Sequence, residues 1–571
     1  MQKMDLKILR HSCSHVLASA VKKLYPEAKL GIGPAIEEGF YYDFDIPGGL
    51  SEEDLPKIEK LMEEEIKSKL PFSQKELSKE EAIDFFRKKG EIYKIELIKD
   101  LGKDKVSIFQ HNDFIDLCKG PHLKDTGPLK NFKLLSVSGA YWRGDQKNAQ
   151  LSRIYGTVFP DRKSLKKYLN RIEEAKKRDH RKLGKELGLF DIYPEQAGAG
   201  LVFYLPKGAI LRKIITDWEI DQHLKRGYQM INTPHIMNKN LWDKSGHLDY
   251  YQEYMYPIKK EDQEFILKPM NCPGHILVYK SKLHSFRDLP LRLFELGTVY
   301  RFEKSGVLHG LLRLRGFTQD DAHIFCKKED LYSEIEGVIE FVKSTMEKFG
   351  FSDYSAELST RPDEFIGKQK DWEEAENILE EVLKKKKLNY KLNPGDGAFY
   401  GPKIDIILKD AIGRSWQCAT VQLDYNIPER FDLTYRSKED NDQRVVMIHR
   451  VILGSLERFM ATLIEHFAGA LPFWLAPTQI SVLNINKDVA DYAKRIKTKL
   501  EEEGFRVESD LDEETLQKKI RKKELLKIPY MVIVGRQEKE DKTISLRKRG
   551  KENLGSKKLE QLITFLKKEA K

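Results

Sequence analysis

The chain has 571 residues, 40% hydrophobic and 33% charged, with a formal net charge of +10. That length suits roughly three or four domains, and no apolar run reaches the ~18 residues of a membrane span. Charged residues come too early for a secretory leader, and the five scattered cysteines, Cys13, Cys118, Cys272, Cys326 and Cys418, suit a cytoplasmic protein with free or metal-bound thiols rather than a disulfide framework.

In chain order, the first predicted element is a helix from about Leu6 to Leu24. Leu9, Cys13, Val16, Leu17, Ala20 and Leu24 recur at three- and four-residue intervals and make one apolar stripe. His11 and His15 share the opposite face, so they are expected outside the core, either in solvent or on the wall of a site. A second short motif, Cys118 and His122 in "DLCKGPH", is interrupted by Gly120-Pro121 and reads as a loop. Two Cys/His motifs in one region suggest one shared site.

Residues 161–186 are strongly basic. Asp161 is placed to cap a helix there. The apolar positions are sparse, so this segment reads as a solvated connector, and lysine and arginine also suit contact with a nucleic-acid backbone. The middle of the chain offers Cys272, His323 and His449. One thiolate and two imidazoles leave a tetrahedral zinc with an open position, as catalytic or substrate-binding sites require. Cys272 and His275 form a competing CxxH pair. The stretch "KIDIILKDAIGRSWQCATVQLDY" reads as two strands around a turn at 410–413. After about residue 473, strands and helices alternate in a basic segment, with one helix ending at Gly504. This predicts an α/β layer domain with a mainly parallel sheet, and its charge suits RNA.

The ordered stretches "GYQMINTPHIM", "VYRFEKSGVLHGLLRLRGFTQDDAHIF" and "HRVILGSLERFM" resemble motifs 1, 2 and 3 of class II aminoacyl-tRNA synthetases. "MNCPGH", "TQDDAH", "FYGPKIDI", "WQCATVQLD" and "MIHR" are together similar to the threonyl-tRNA synthetase family. HxxxH followed by CxxxH resembles the editing domain of threonyl- and alanyl-tRNA synthetases. Family members often begin with a small ubiquitin-like domain; HxxxH starts at residue 11 here, and that domain is not expected.

The resemblance implies a multidomain α+β and α/β protein. An editing domain is expected over 1–160, a basic linker helix over 161–186, a class II catalytic domain with an antiparallel sheet and flanking helices over 187–472, and an α/β anticodon-binding domain over 473–571. It implies ATP-dependent activation of L-threonine and transfer to tRNA(Thr). Arg301 is expected on the α-phosphate, Arg313 and Arg458 on the distal phosphates, and Glu303 and Phe317 on the adenine. Arginine suits this task because its planar fork stays charged and grips two oxygens. Mg2+ is expected with ATP, and one Zn2+ per subunit on Cys272, His323 and His449. Asp321 would accept from the threonine hydroxyl, with Gln319, Tyr400 and Gln417 lining the pocket. His247 would assist transfer at the tRNA 3′ end. Pro234 in motif 1 implies a homodimer, and Glu538 and Arg547 are expected at the anticodon.

A site that engages a hydroxyl rejects valine strongly, whereas the methyl missing from serine is worth only about 1–3 kcal/mol. A separate hydrolytic site for Ser-tRNA(Thr) follows, expected at His11, His15, Asp116, Cys118 and His122 without a required metal, although those ligand types also suit zinc. Two other readings are an RNA-binding paralogue that does not charge tRNA and a zinc hydrolase. The first is expected to have lost part of the Cys/His trio or the motif arginines, and all of these are present. Neither accounts for three ordered motifs.

Overall fold

The computed structural model describes residues 5–145, 147–550 and 552–570. The chain divides into two compact units, residues 1–173 and 174–571.

In the first unit, the helix Leu6–Leu24 forms where the apolar period places it, and Asp5 caps its first turn. It buries Leu9, Cys13, Val16, Leu17 and Ala20 in a core shared with Phe40, Phe44, Ile58 and Ile154. The partner surface is an antiparallel sheet containing Gly39–Asp45, Gln150–Val158 and Phe132–Tyr141. A smaller antiparallel sheet, Ser73–Ser78, Lys105–His111 and Phe114–Leu117, delivers the loop that carries Cys118 and His122.

The basic segment is not one helix. Arg162–Arg178 buries no residue, in keeping with a solvated connector. A second helix, His180–Glu186, begins after Asp179, whose carboxylate accepts from the Arg181 amide, and it buries His180 and Leu183. The solvated expectation therefore fails for its last turns. The break follows from Asp179, a residue whose side chain competes for backbone donors and favours a cap over a helix interior.

The second unit is built on an eight-stranded sheet. Its order is Gln229–Met230, Leu291–Tyr300, Gly316–Cys326, Val446–Val451, Ser415–Asp424, Lys403–Lys409, Tyr354–Ser359 and Tyr390–Asn393. The pairing is antiparallel except at the two edges. The helices Leu331–Lys348, Gln369–Lys385 and Leu456–His466 pack apolar residues against those of the strands to form its core. The expected hairpin at 403–425 is present, with a bulge near Asp405.

After residue 479 a second sheet forms from Val507–Asp510, Ile480–Asn484, Tyr530–Val534, Thr543–Lys548 and Glu552–Lys558. The first three strands are parallel and the last two antiparallel. The parallel part matches the expectation. The final strand, ENLGSKK, has no β-branched residue and no apolar alternation, so periodicity did not reveal it.

Candidate functional site

Strand register builds the first site. Leu293, His323, His449, Gln422 and Lys403 lie directly opposite one another across five neighbouring strands. Cross-strand partners share a face, and so do residues two apart on one strand. Gln319, Asp321 and His323 therefore point the same way. Together with Cys272, Arg301, Tyr400, Thr420, Gln422 and His449 they line a cavity of about 390 Å³.

Cys272, at the start of the helix Cys272–Tyr279, completes a buried trio with His323 and His449, whose ligand atoms all lie within 4.8 Å of one another. His323 Nε2 and His449 Nδ1 face each other at 3.1 Å. His449 Nε2 donates to Asp424 at 2.9 Å, which leaves Nδ1 bare toward the trio. Burial pushes the Cys272 thiol well up, so an unassisted thiolate is disfavoured there. Two converging imidazole nitrogens, a thiol and an outer carboxylate fit a divalent metal of zinc type. His275 stands behind this trio: its Nδ1 lies 3.0 Å from His323 Nδ1 and its Nε2 3.4 Å from Glu295. Burial would raise the Glu295 carboxyl, but His275, Lys268 and Thr233 hold it down at about 2.

Asp321 accepts from Asn271 at 3.1 Å and keeps its other oxygen 3.9 Å from His323. The Tyr400 hydroxyl donates to Gln422 at 2.8 Å. Gln417 is not among the residues lining this cavity; it is exposed, and its amide donates to Asp405. Gln422, five residues on, lines it instead, along with Lys403, which pairs with Asp405. Neither Gln422 nor Lys403 was picked out from sequence. His247 is fully buried, its Nε2 3.8 Å from Cys272 Sγ, and burial with nearby His449 and Arg301 holds it down at about 3.

Arg301 lies over the Phe317 ring at 5.2 Å. Arg313 pairs with Glu303 at 2.9 Å. Arg458 donates to the Leu312 carbonyl, and burial plus the charges of Arg301 and Arg313 lower its pKa. Three cations drawn together with one carboxylate among them make an anion site. The turn before Arg458 is anchored by Asp320, which accepts from Ile452, Leu453 and Gly454 at 2.7, 2.9 and 2.9 Å.

The second site lies in the first unit. His15 is only 2% exposed, contrary to a solvated residue. The polar face of its helix is covered by the loop after Leu117, so the two histidines form the wall of a site. His11 Nε2 lies 2.9 Å and His122 Nε2 3.1 Å from Cys118 Sγ. The His11 and His122 rings stack at 4.5 Å, and His15 meets His122 edge-on at 4.3 Å. Gly120 has φ +67°, and its amide donates to Cys118 Sγ at 3.2 Å; a Cβ there would meet the Phe109 ring at 2.6 Å. Burial pushes the Cys118 thiol up to about 11, and burial with His11 and His111 pushes His122 down to about 3. Asp116 is buried, bonded to Lys94 at 2.6 Å and to the Tyr42 hydroxyl at 2.5 Å, and lies 3.9 Å from His15. Tyr42 and Lys94 were missed from sequence. The signal was available in the second case: Lys94 shares a helix face with Ile98, where an apolar residue is expected.

Glu538 is bonded within its own helix turn, and Arg547 stands beside a carboxylate. Glu538 accepts from the Gly535 amide at the start of its own helix, and Arg547 lies 3.8 Å from Glu524. Among the described residues no helix is long and apolar enough to cross a membrane.

Three family models match the chain: the class II tRNA synthetase core domain (G, H, P, S and T) over residues 254–467, an anticodon binding domain over 479–569, and the threonyl and alanyl tRNA synthetase second additional domain over 106–155. The threonine–tRNA ligase of Oleidesulfovibrio alaskensis is 53% identical over 98% of this chain and 87% of its own length. That of Acetivibrio thermocellus is 54% identical over 97% and 87%. A crystal structure of the RNA binding domain of threonyl-tRNA synthetase from Cryptosporidium parvum superposes with a TM-score of 0.66 at 43% identity, covering 68% of this chain and 98% of that one.

Proposed function

The chain belongs to the threonyl-tRNA synthetase family, and from that premise we propose how its two cysteine–histidine sites divide the work. The enzyme is a threonine–tRNA ligase, with ATP, magnesium, threonine and tRNA as reactants and partners. Cys272, His323 and His449 would hold one zinc ion per chain, which would supply a Lewis acid able to recognise the polar groups of threonine. Asp321 accepts from the threonine hydroxyl, and Gln319, Tyr400 and Gln422 shape the pocket. Gln417, which Asp405 holds at the exposed end of its strand, keeps a peripheral role. Valine leaves these polar groups without a partner and is rejected.

Arg301 takes the α-phosphate, Arg313 and Arg458 the distal phosphates, and Glu303 and Phe317 the adenine. The cations screen the carboxylate's approach and the charge gathered in the transition state. His247 assists transfer to the tRNA. The observation that carries this reading is that one cavity holds both the Cys–His–His trio and Arg301.

Serine fits the same polar groups, so its mischarged product is hydrolysed at His11, His15, Asp116, Cys118 and His122 without a required metal. His15 and His122 are held neutral by burial, and a neutral imidazole offers one donor and one acceptor nitrogen to orient water and the ester. Domains over 1–160, 161–186, 187–472 and 473–571, a cytoplasmic homodimer built around Pro234, and anticodon contact through Glu538 and Arg547 complete the reading. The half-exposed Met230 and Ile236 flanking Pro234 support the dimer surface.

The test is amino-acid-dependent ATP–pyrophosphate exchange. Threonine is expected to give strong exchange, serine some, and valine almost none. Equal exchange with valine and threonine would refute zinc-based selection.

A further inference from the structure

Ser12 lies between the two helix histidines and is fully buried. Its oxygen accepts from the Leu123 amide at 2.9 Å, so its own proton needs an acceptor. Among the described residues the group in reach is His122 Nδ1, at 3.2 Å. An imidazole that accepts at Nδ1 while neutral carries its proton on Nε2. That nitrogen is the one aimed at Cys118 Sγ. The sulfur then receives His122 Nε2–H and the Gly120 amide, and its own proton points to His11 Nε2. The bonds run in one sense, from Ser12 through His122 and Cys118 to His11.

This polarity is the reverse of the zinc trio. There a carboxylate, Asp424, draws the proton of His449 outward and leaves the inner nitrogen bare. Here a hydroxyl donor behind His122 places the proton inward, where a metal would need a lone pair. We infer that Ser12 is a positioning residue that sets the tautomer of His122 and so keeps this four-residue cluster hydrolytic and free of metal. The inference rests on the metal-free editing reading proposed above.

The experiment loads the full-length chain with zinc, removes loosely bound ion by desalting, and counts zinc per chain alongside hydrolysis of Ser-tRNA(Thr). The wild type is expected to hold about one zinc. Ser12→Ala should hold about two and hydrolyse about tenfold more slowly, the effect of one lost hydrogen bond. Ser12→Thr keeps the hydroxyl and should restore both values. Ser14→Ala, which removes a neighbouring buried hydroxyl bonded only to the His11 and Gly33 carbonyls, should leave the count at about one. A Ser12→Ala chain that still holds one zinc overturns the inference, whatever its hydrolysis rate. Two zinc ions on the wild type would refute the metal-free reading itself, so the wild-type count separates the two failures.

Discussion

The two cysteine–histidine clusters use the same side chains and differ in what stands behind them. In the catalytic unit, His323 Nε2 and His449 Nδ1 face each other at 3.1 Å, and Asp424 takes the outer proton of His449 and leaves its inner nitrogen bare. In the first unit, Cys118 is a hub that two imidazoles and the Gly120 amide approach together. The ligand count alone would call both metal sites. The groups one bond further out decide which cluster presents lone pairs and which presents protons.

The strongest way to break this comparison is Cys272→Ala. It is expected to lose the bound zinc and to lower threonine-dependent pyrophosphate exchange by about a thousandfold, with hydrolysis of preformed Ser-tRNA(Thr) unchanged. A variant that loses both activities would mean that the clusters are not independent. The converse change, His122→Ala, is expected to slow hydrolysis by about a hundredfold while exchange with threonine stays at the wild-type level. Serine would then accumulate on tRNA(Thr) in an aminoacylation assay.

The smallest effect sharpens the comparison through pH. His122 is held at about 3 in the folded chain by burial and by His11 and His111, against about 6.5 when unfolded. Between those values the unfolded state binds more protons, so stability rises with pH and is lost as pH falls below 6.5. Acidification from 6.5 to 5 should cost the first unit on the order of 2 kcal/mol from this group. Thermal unfolding of the wild type and of His122→Gln at the two pH values measures it. An equal acid loss in both chains would show that His122 is not the source.

Much of this was legible beforehand. The helix Leu6–Leu24 followed from its apolar period, and the trio Cys272, His323 and His449 from residue type and motif order. The placement of Asp321 beside His323 needed only strand alternation. Other features were not local. Gln422 entered the cavity because it lies mid-sheet between Lys403 and His449, whereas Gln417 lies toward the exposed end of the same strand, tied to Asp405. Lys94 and Tyr42 reach Asp116 from 22 and 74 positions away, a distance no motif spans. The break at Asp179 depended on a cap that competes with helix continuation.

The sequence by itself determined the family, the chemistry of the residues and the order of the elements, because periodicity and side-chain type act over a few neighbours. Only the tertiary structure decided which nitrogen faces each sulfur, which glutamine meets the substrate cavity, and that His15 is wall rather than surface. Those outcomes depend on register, burial and hydrogen-bond direction, which exist only once distant segments meet.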